Sequence, residues 1–325
     1  MLTEQKRKWK GRKTYEIKGD FLEAYSQVPT FSRENFELDE GGENEYMDVI
    51  INDKTAVPVA TVSKGYSLVQ HNQVLQTIDQ AFQRLNFSTK NIQTNIRMSE
   101  YGERMWVSVD FPEDKNFTPN DGHPVHLQFH SINSVDGSAR LSFQFGWLRL
   151  VCSNGLFSLV DCGTFAKKHT ASLEEKNLSE YLQRATDISS FETQHYEELT
   201  NERLELNKDY VEEWVTQTVN KKWGVRLAAR VYNILKTGFD GKPDRSQEKE
   251  KGLRNFPHQI SVSNETDVPG QPPAETIYDA ANALSYISSH QDTLQTRYEQ
   301  MTQVPELIRD LRQRRLHNQT LNNLR

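Results

Sequence analysis

The segment from Arg140 to Val151 constrains the fold of this chain more than any other part of its sequence. In its first half, Leu141, Phe143 and Phe145 alternate with polar or small residues, which is the period-two pattern of a half-buried strand. After Gly146 the residues become almost continuously apolar, and a glycine at such a change indicates a β-bulge or the close approach of another backbone. The segment therefore predicts a long strand inside a sheet.

The residues that follow this strand predict a turn into a helix. Asn154 and Gly155 have turn chemistry, and the apolar spacing across 156–160 is that of a helix. A strand that leads through a small polar loop to the N-terminus of a helix forms a potential anion-binding site. Arg149, inside the apolar part of the strand, must find a partner because an unpaired buried charge is costly. That partner is either a carboxylate of the protein itself or a bound ligand.

The patterns before this segment predict more strands and one helix. Alternating or apolar runs indicate strands over Tyr46–Ile51, Ala56–Val62, Ile92–Met98, Arg104–Phe111 and Val125–Ile132. Between the second and the third of them, apolar residues at three- and four-residue steps predict a helix capped by Asn72. Pro58 places the second strand at a sheet edge or at the beginning of the strand. This order predicts an α+β fold, an antiparallel sheet with helices packed on one face.

The second half of the chain is rich in Glu, Gln and Leu, which predicts a mainly helical region. Thr276 is a predicted N-cap, and Pro305 is predicted to begin the last helix. Charged or proline-containing stretches over 238–252 and 255–274 lack apolar periodicity and are predicted as irregular links. The predicted organisation is an extended or mobile arm over 1–44, an α+β sheet domain over 45–172, and the mainly helical region over 173–325.

Composition and charge exclude several classes of protein. No apolar run is long enough to span a bilayer, and no apolar segment follows the basic N-terminus, so neither a membrane span nor a secretory signal is expected. Cys152 and Cys162 are the only cysteines, too few for a disulfide framework, which favours a reducing cytoplasm. The net charge of -6 argues against a surface that binds nucleic acid everywhere.

The charges are unevenly distributed along the chain. Residues 1–13 contain six lysines and arginines and one glutamate, whereas 34–53 contain eight acidic residues and no lysine or arginine. Such asymmetry indicates either a basic arm for an acidic partner or a solvated tail. Lys222, Arg226 and Arg230 recur at four-residue steps on a predicted helix. They form either the solvated face of that helix or a phosphate-binding stripe.

Three histidines raise the question of a metal site. His126 and His130 share one face of a predicted strand, and His123 lies just before it. No cysteine or carboxylate occurs at a matching spacing, so surface or hydrogen-bonded histidines are favoured over metal ligands. The glycines of 238–252 lack the strand and the Lys-Ser/Thr pair of a phosphate-binding loop. With no catalytic motif elsewhere, the sequence predicts neither an enzyme nor a cofactor.

Several short segments occur in one order along the chain. They are Tyr66–Gln70, Asp136–Ser138, Gly146–Leu156, Lys168–Thr170 and Thr276–Tyr286. In this order they resemble the phage/plasmid-like family catalogued as domain of unknown function 932, over residues 45–290. The resemblance implies a mobile-element setting and an intracellular protein, and it carries over no catalytic residue.

The first functional hypothesis is a nucleic-acid-binding protein of a phage or plasmid that binds or anneals single-stranded DNA. The order of helix, strands and helix over 72–165 is similar to the core of Rad52-like annealing proteins, in element order alone and with one strand more. Such a site needs cations that track phosphates and flat side chains that stack on bases. The candidate residues are Arg140, Trp147, Arg149, Lys167, Lys168, Lys222, Arg226 and Arg230.

The alternative is a non-enzymatic interaction protein that acts on a host defence or replication protein. The acidic balance and the long helical half fit this alternative, and its binding would depend little on salt. An enzyme whose groups converge only in the folded chain is a third class. We expect a protein of the host-cell cytoplasm with no membrane association. The likeness to annealing proteins, which act as rings or filaments, implies a homo-oligomer.

Overall fold

The structure is a computed structural model that describes residues 13–39, 41–84, 92–111, 118–119, 122–149, 154–157, 165–167, 194–249, 252–292 and 294–323. Over these residues the chain has the predicted α+β architecture, with antiparallel sheets and a helical C-terminal region. The strands are β1 (Thr14–Asp20), β2 (Phe31–Glu37), β3 (Glu43–Asn52), β4 (Val57–Ser63), β5 (Gln93–Ser99), β6 (Arg104–Asp110), β7 (Val125–Ser134), β8 (Leu141–Arg149), β9 (Asn154–Phe157), β10 (Phe165–Lys167), β11 (Phe239–Pro243) and β12 (Val262–Asp267).

The helices follow in the same chain order. They are α1 (Phe21–Tyr25), α2 (His71–Arg84), α3 (194–201), α4 (Asp209–Trp214), α5 (Asn220–Trp223), α6 (Val225–Thr237), α7 (Arg245–Lys249), α8 (Ile277–Ser289), α9 (Leu294–Met301) and α10 (Val304–Asn323). A π-helical turn, Val215–Val219, joins α4 to α5, and short 3-10 turns lie at Leu253–Asn255 and Pro257–Gln259.

The larger sheet has the strand order β1-β5-β6-β7-β8, and the outer edge of β8 is shared by β10 and β9. Every pairing is antiparallel. The four strands predicted between residues 92 and 151 are therefore confirmed as consecutive neighbours. The smaller sheet has the order β2-β3-β4, and Pro58 lies in its edge strand β4, as predicted.

One face of the larger sheet forms the main core together with α2. Val107 and Phe129 on adjacent strands are fully buried, and Phe82 of α2 packs edge-on against Phe129 with ring centroids 6.1 Å apart. The same continuous cluster includes Leu284 of α8 and Leu311 of α10. The sheet and the helical region consequently share one core across the boundary predicted near residue 172.

The helix predicted to start at Asn154 is wrong for the residues that the structure describes there. Residues 154–157 form β9, which returns antiparallel to β8 with Arg149 opposite Asn154 and Trp147 opposite Leu156. The edge of β8 offers backbone donors and acceptors that must be satisfied, and a ladder does this better than a short isolated helix. The anion site predicted at a helix N-terminus there is corrected accordingly.

The two predicted irregular links contain regular structure. β11 and β12 pair as a two-stranded sheet, with Phe239 opposite Asp267, and α7 follows β11. Gly238 ends α6 with a left-handed φ of 79° and turns the chain into β11. β12 has mostly exposed, polar side chains, and β11 is short and contains a glycine and a proline. Neither strand therefore has the alternation of apolar and polar residues by which a strand is predicted from a sequence.

Part of the predicted N-terminal arm belongs to the sheets. β1 is the edge strand of the larger sheet, where Ile17 pairs with Ile96 and is 2 % exposed. The hydroxyl of Tyr15 donates to the sulfur of Met98 over 3.3 Å, as an anchor would. The sequence predicted an extended or mobile arm over 1–44. Within it, residues 14–37 contain β1 and β2, which pair with other strands of the two sheets.

The helix termini test the capping predictions directly. Thr276 caps α8 in a capping box, since its hydroxyl accepts from the amide of Asp279 and the Asp279 carboxylate accepts from the amide of Thr276. Pro305 lies at the start of α10, as predicted. Asn72 is not the N-cap of α2, which begins at His71.

Candidate functional site

The second face of the larger sheet carries a row of polar residues, which we call the polar face. The strand register places Asn95 opposite Ser108, Ser108 opposite His130, and His130 opposite Gln144. Directly opposed residues of an antiparallel pair lie about 4.5–5.5 Å apart, so these residues form one row across four strands. His130 and Gln144 are only 5 % and 8 % exposed. A buried polar row of this kind must be held by hydrogen bonds.

An ion cluster closes the β1 end of the polar face. The Glu16 carboxylate accepts from Arg97 Nε and from Asn95 Nδ2, each over 2.8 Å, and lies 3.2 Å from Lys18 Nζ. Burial raises the pKa of Glu16, but the hydrogen bonds from Arg97 and Asn95 and the Arg97 charge outweigh it and lower the pKa overall. The carboxylate therefore stays ionised and neutralises Arg97.

Asp110 and His130 both have pKa values shifted towards their neutral forms. Burial raises the pKa of Asp110, and the hydrogen bond from Gln128 offsets this in part. Burial, together with a smaller effect of the nearby Arg97 charge, lowers the pKa of His130 to about 3. At neutral pH His130 is an uncharged imidazole. A neutral imidazole can donate one hydrogen bond and accept another, but it carries no charge that would attract a phosphate.

The buried neutral His130 predicts an acid-sensitive fold. Because its pKa falls from 6.5 in the unfolded chain to about 3 in the fold, its contribution to stability is complete above pH 6.5 and declines as the pH falls towards 3. At pH 5 the loss is about 2 kcal/mol of the free energy of unfolding, since each pH unit below 6.5 counts about 1.4 kcal/mol. Urea unfolding at pH 7.5 and pH 5 measures it.

His130→Gln is the matched comparison, because glutamine keeps polar atoms at this position but does not titrate. Its unfolding free energy should fall about 2 kcal/mol less between the two pH values than that of the unchanged protein. Equal losses in the two proteins would show that His130 is accessible to protons in the folded state.

A helix covers one corner of the polar face. Tyr298 of α9 donates its hydroxyl proton to Ser142 Oγ over 2.7 Å and packs edge-on against Trp106, with ring centroids 5.6 Å apart. Ile132 and Met301 complete this small cluster. Within the described residues no group of three or more His, Cys, Asp or Glu side chains is arranged to hold a metal ion.

The predicted basic stripe of α5 and α6 is paired with carboxylates. Lys222 Nζ lies 2.8 Å from Glu306, and Arg226 Nε lies 3.0 Å from Glu248. The Lys222–Glu306 pair lies at the surface and is therefore weak, whereas the Glu248 side chain of the second pair is only 12 % exposed. The sequence left two alternatives open for these residues, a solvated helix face or a phosphate-binding stripe. In the structure their cations already pair with carboxylates of the protein, which neither alternative included.

Arg230 differs from the other two members of the stripe. Its Nε and Nη2 both donate to the carboxylate of Asp240, at 2.8 and 2.5 Å, in a half-buried bidentate pair. Burial lowers the pKa of Arg230, but the Asp240 hydrogen bonds and charge exceed this and raise it overall. This pair ties α6 to β11, so a structural role accounts for Arg230. Nucleic-acid binding by the three residues stays a prediction.

The other predicted residues lie at opposite ends of β8. Arg140 is exposed and precedes β8, and Lys167 pairs with the neighbouring Leu141 through β10. Trp147 and Arg149 pair with Leu127 and Val125 near the far end of the strand. At about 3.4 Å per residue the two ends are roughly 27 Å apart, so these residues form two groups rather than one. Lys168 lies outside the described residues.

An open cleft of about 690 Å³ lies where α5 meets α6. Its walls include Asn220, Gly224, Arg226, Glu248 and Arg254. Gly224 has a left-handed φ of 84° and is the N-cap of α6, and it has no side chain to occupy the free amide groups of the first helical turn. The cleft therefore brings two guanidinium groups to the positive end of a helix.

Sequence reasoning found Arg226 but missed Arg254. The signal available was Gly224, which interrupts a helical pattern and marks a helix start in the middle of the predicted basic stripe. No local sequence pattern indicates that Arg254 lies near Gly224, because Arg254 belongs to the 3-10 turn after α7, about 30 residues further along the chain.

Comparison with known proteins places the chain in a family. A family model described as "Domain of unknown function (DUF932)" matches residues 58–311. The chain belongs to this family. No curated protein and no solved structure matches this DUF932 chain. None of the described helices is long and apolar enough to cross a membrane.

Two of the segments that carry the DUF932 resemblance, Tyr66–Gln70 and Asp136–Ser138, lie at a junction between the two sheets. The side chain of Gln70 bonds both backbone groups of Phe31, accepting over 3.1 Å and donating over 2.6 Å. Tyr66 donates its hydroxyl proton to Ser134 O over 3.3 Å, and Gly137 leaves the space that the Tyr66 ring fills. These motif residues consequently have structural roles in assembling the DUF932 fold.

Arg33 completes this junction. Its Nε donates to Asp48 over 2.6 Å, and its other nitrogens donate to the carbonyl oxygens of Ser63, Lys64 and Tyr66. A single guanidinium therefore fixes β2, β3 and the segment after β4 together. Its fork of donors suits this task better than a lysine would.

Proposed function

We propose that this DUF932 protein binds nucleic acid as a single strand and that the cleft between α5 and α6 holds backbone phosphates. The observation that carries the proposal is the convergence of Arg226 and Arg254 on the amino end of α6. Free amide groups and the helix dipole favour an anion at such an end. Guanidinium groups bind phosphate oxygens in a bidentate manner.

The charges around the cleft support a polyanion as the ligand. Arg254 is exposed and makes no ion pair with the described residues, and Lys221 is likewise exposed beside the cleft wall. Glu248 neutralises Arg226 in the free protein, but the Arg226 side chain is 48 % exposed and can donate to a phosphate in addition. The charged residues that line the cleft, two arginines and Glu248, sum to +1, although the whole chain is acidic.

An exposed aromatic ring lies next to the cleft in the chain. Phe256 follows the cleft residue Asn255 and is 47 % exposed, and its ring contacts His258 edge-on at a centroid distance of 6.2 Å. A flat exposed ring beside phosphate-binding cations is the arrangement by which proteins bind single strands without sequence preference. Trp223 is almost buried and donates its indole N–H to Gln303, so it supports the cleft rather than stacking on bases.

The test is fluorescence anisotropy of a labelled oligo-dT strand with the full chain at about 50 and 200 mM salt, a range over which phosphate contacts weaken strongly. Arg226→Ala combined with Arg254→Ala should weaken binding at least about tenfold and lower the salt slope by about 1.4, since each contact to a single strand contributes about 0.7. Phe256→Ala should weaken binding with little change of that slope.

Lys236→Ala combined with Lys242→Ala is the matched control, because both lysines are exposed cations near the opposite end of α6. This control should bind like the unchanged protein. Absence of salt-sensitive binding would overturn the proposal. If both double variants weakened binding equally, the cleft would not be the binding site. If the protein bound a duplex with equal affinity, it would have no preference for single strands.

The residues at β8 are tested separately. Arg149→Ala, Lys167→Ala and Lys168→Ala together are expected to abolish binding if a single strand follows these cations along one wall of the larger sheet, as the sequence predicts. Far-ultraviolet circular dichroism must stay unchanged. Loss of the dichroism signal would instead assign Arg149 a structural role, which would fit its position opposite the buried Val125.

An interaction protein remains the second candidate, because one described surface favours it. The smaller sheet exposes apolar residues on the face that does not pack on the core.

The phage or plasmid setting, the host partner, the cytoplasmic location and the homo-oligomer stay predictions. Measuring the molar mass in solution by light scattering tests the homo-oligomer.

A further inference from the structure

The smaller sheet is packed on one face and open on the other. Phe31, Ile50 and Val62 form a buried cluster on the packed face. Along β3, Met47, Val49 and Ile51 alternate with the buried Asp48, Ile50 and Asn52. These three apolar residues are partly exposed and belong to none of the described core clusters. Three consecutive outward positions on the central strand are therefore apolar. Apolar patches of this kind on a sheet typically mark a binding surface.

The outer edge of β2 is free for another strand. The side chain of Gln70 bonds both backbone groups of Phe31, which shows that these groups point away from β3. Backbone groups alternate along an antiparallel strand, so those of Arg33 and Asn35 point outward as well. Within the described chain no residue pairs with this part of the edge. An open edge beside an apolar face is the site at which an extended peptide adds to a sheet.

The rim of this surface selects the charge of the partner. Glu34, Glu37, Asp39, Glu43 and Glu45 are exposed, and none of them makes an ion pair with a residue of the described chain. Residues 34–53 contain no lysine or arginine that could neutralise them. Unpaired charges of one sign around an apolar centre attract a segment of the opposite sign and repel one of the same sign.

We infer that the smaller sheet is a docking surface for an extended, lysine- and arginine-rich polypeptide segment. The segment adds as a strand along β2, places its cations against the acidic rim, and covers the apolar face of β3. This site is separate from the cleft between α5 and α6 and binds a ligand of opposite charge. It does not depend on nucleic-acid binding.

The probe is a fluorescein-labelled peptide with the sequence of residues 1–13, which has six cations and one glutamate. Anisotropy with the full chain should show saturable binding that weakens as salt rises. Glu34→Gln, Glu37→Gln, Glu43→Gln and Glu45→Gln together should weaken it at least about tenfold, because the rim charges are lost. Asn35→Pro, which removes an outward N–H from β2, should weaken it without changing any charge.

The matched control replaces as many exposed carboxylates on the helical region, with Glu197→Gln, Glu205→Gln, Asp209→Asn and Glu275→Gln together. This control should bind the peptide like the unchanged protein. No binding to the full chain, or equal weakening by the rim and control variants, would overturn the inference. Normal binding by a folded Asn35→Pro variant would overturn strand addition.

Discussion

Trp214→Ala is expected to lower the free energy of unfolding by about 3–5 kcal/mol, the largest effect of any single substitution considered for this protein. Trp214 is fully buried where α4 meets the π-helical turn, and its indole Nε1 donates to the carbonyl oxygen of Leu307 in α10 over 2.9 Å. The substitution removes a large apolar volume and the indole hydrogen bond to that carbonyl, which keeps only its bond within α10. Urea unfolding followed by circular dichroism measures the loss.

Two comparisons separate the packing and hydrogen-bond contributions at this site. Trp214→Phe keeps most of the ring volume but removes the N–H donor, so an intermediate loss is expected. Leu316→Ala changes a residue of α10 that is 57 % exposed and should be nearly neutral. If Trp214→Ala were no more destabilising than Leu316→Ala, α4 and α10 would not be packed as the structure shows.

His71→Ala is expected to cost about 3 kcal/mol and to loosen the junction between the two sheets. The ring is fully buried, its Nε2 lies 2.8 Å from the carbonyl oxygen of Gly102, and its Nδ1 lies 2.9 Å from Asn133 Nδ2. A carbonyl can only accept, so Nε2 carries the proton and Nδ1 accepts from the amide of Asn133. Both partners lose a hydrogen bond when the ring is removed.

The packing of His71 adds to this effect, because the ring also contacts Phe31 edge-on at a centroid distance of 5.5 Å. His71→Gln can restore part of the hydrogen bonding and should cost less than His71→Ala. His258→Ala provides a comparison at a less buried histidine, with an expected loss below about 1 kcal/mol. Equal losses for His71→Ala and His258→Ala would contradict the buried network.

Residues whose environment is set by their immediate neighbours were predicted well from the sequence. Period-two alternation located β5 to β8 because each strand turns most of its apolar residues to one face of the sheet. The capping box of Thr276 and the start of α10 at Pro305 follow from chemistry within one helical turn. β9, β11 and β12 were missed because pairing with a neighbouring strand, and not their own pattern, makes them regular.

The candidate site was only partly accessible to the same reasoning. The four-residue spacing of Lys222, Arg226 and Arg230 is local and correct for a helical surface, but it does not reveal which carboxylate meets each cation. Arg230 is held by Asp240, whereas Arg226 remains exposed beside Arg254. Those contacts come from β11, α7 and a 3-10 turn, which follow α6 in the chain and share no local pattern with it.

By itself, the sequence determined the class of fold, the positions of β3 to β8 and of the longer helices, the acidic balance and the membership of a family. These properties depend on short-range periodicity and on residue composition, which folding does not alter. The tertiary structure alone decided that His130 is neutral, that Tyr66 links the segment after β4 to β7, and that two guanidinium groups line one cleft at a helix end. Burial and charge pairing depend on distances between residues far apart in the chain, and only the folded chain sets those distances.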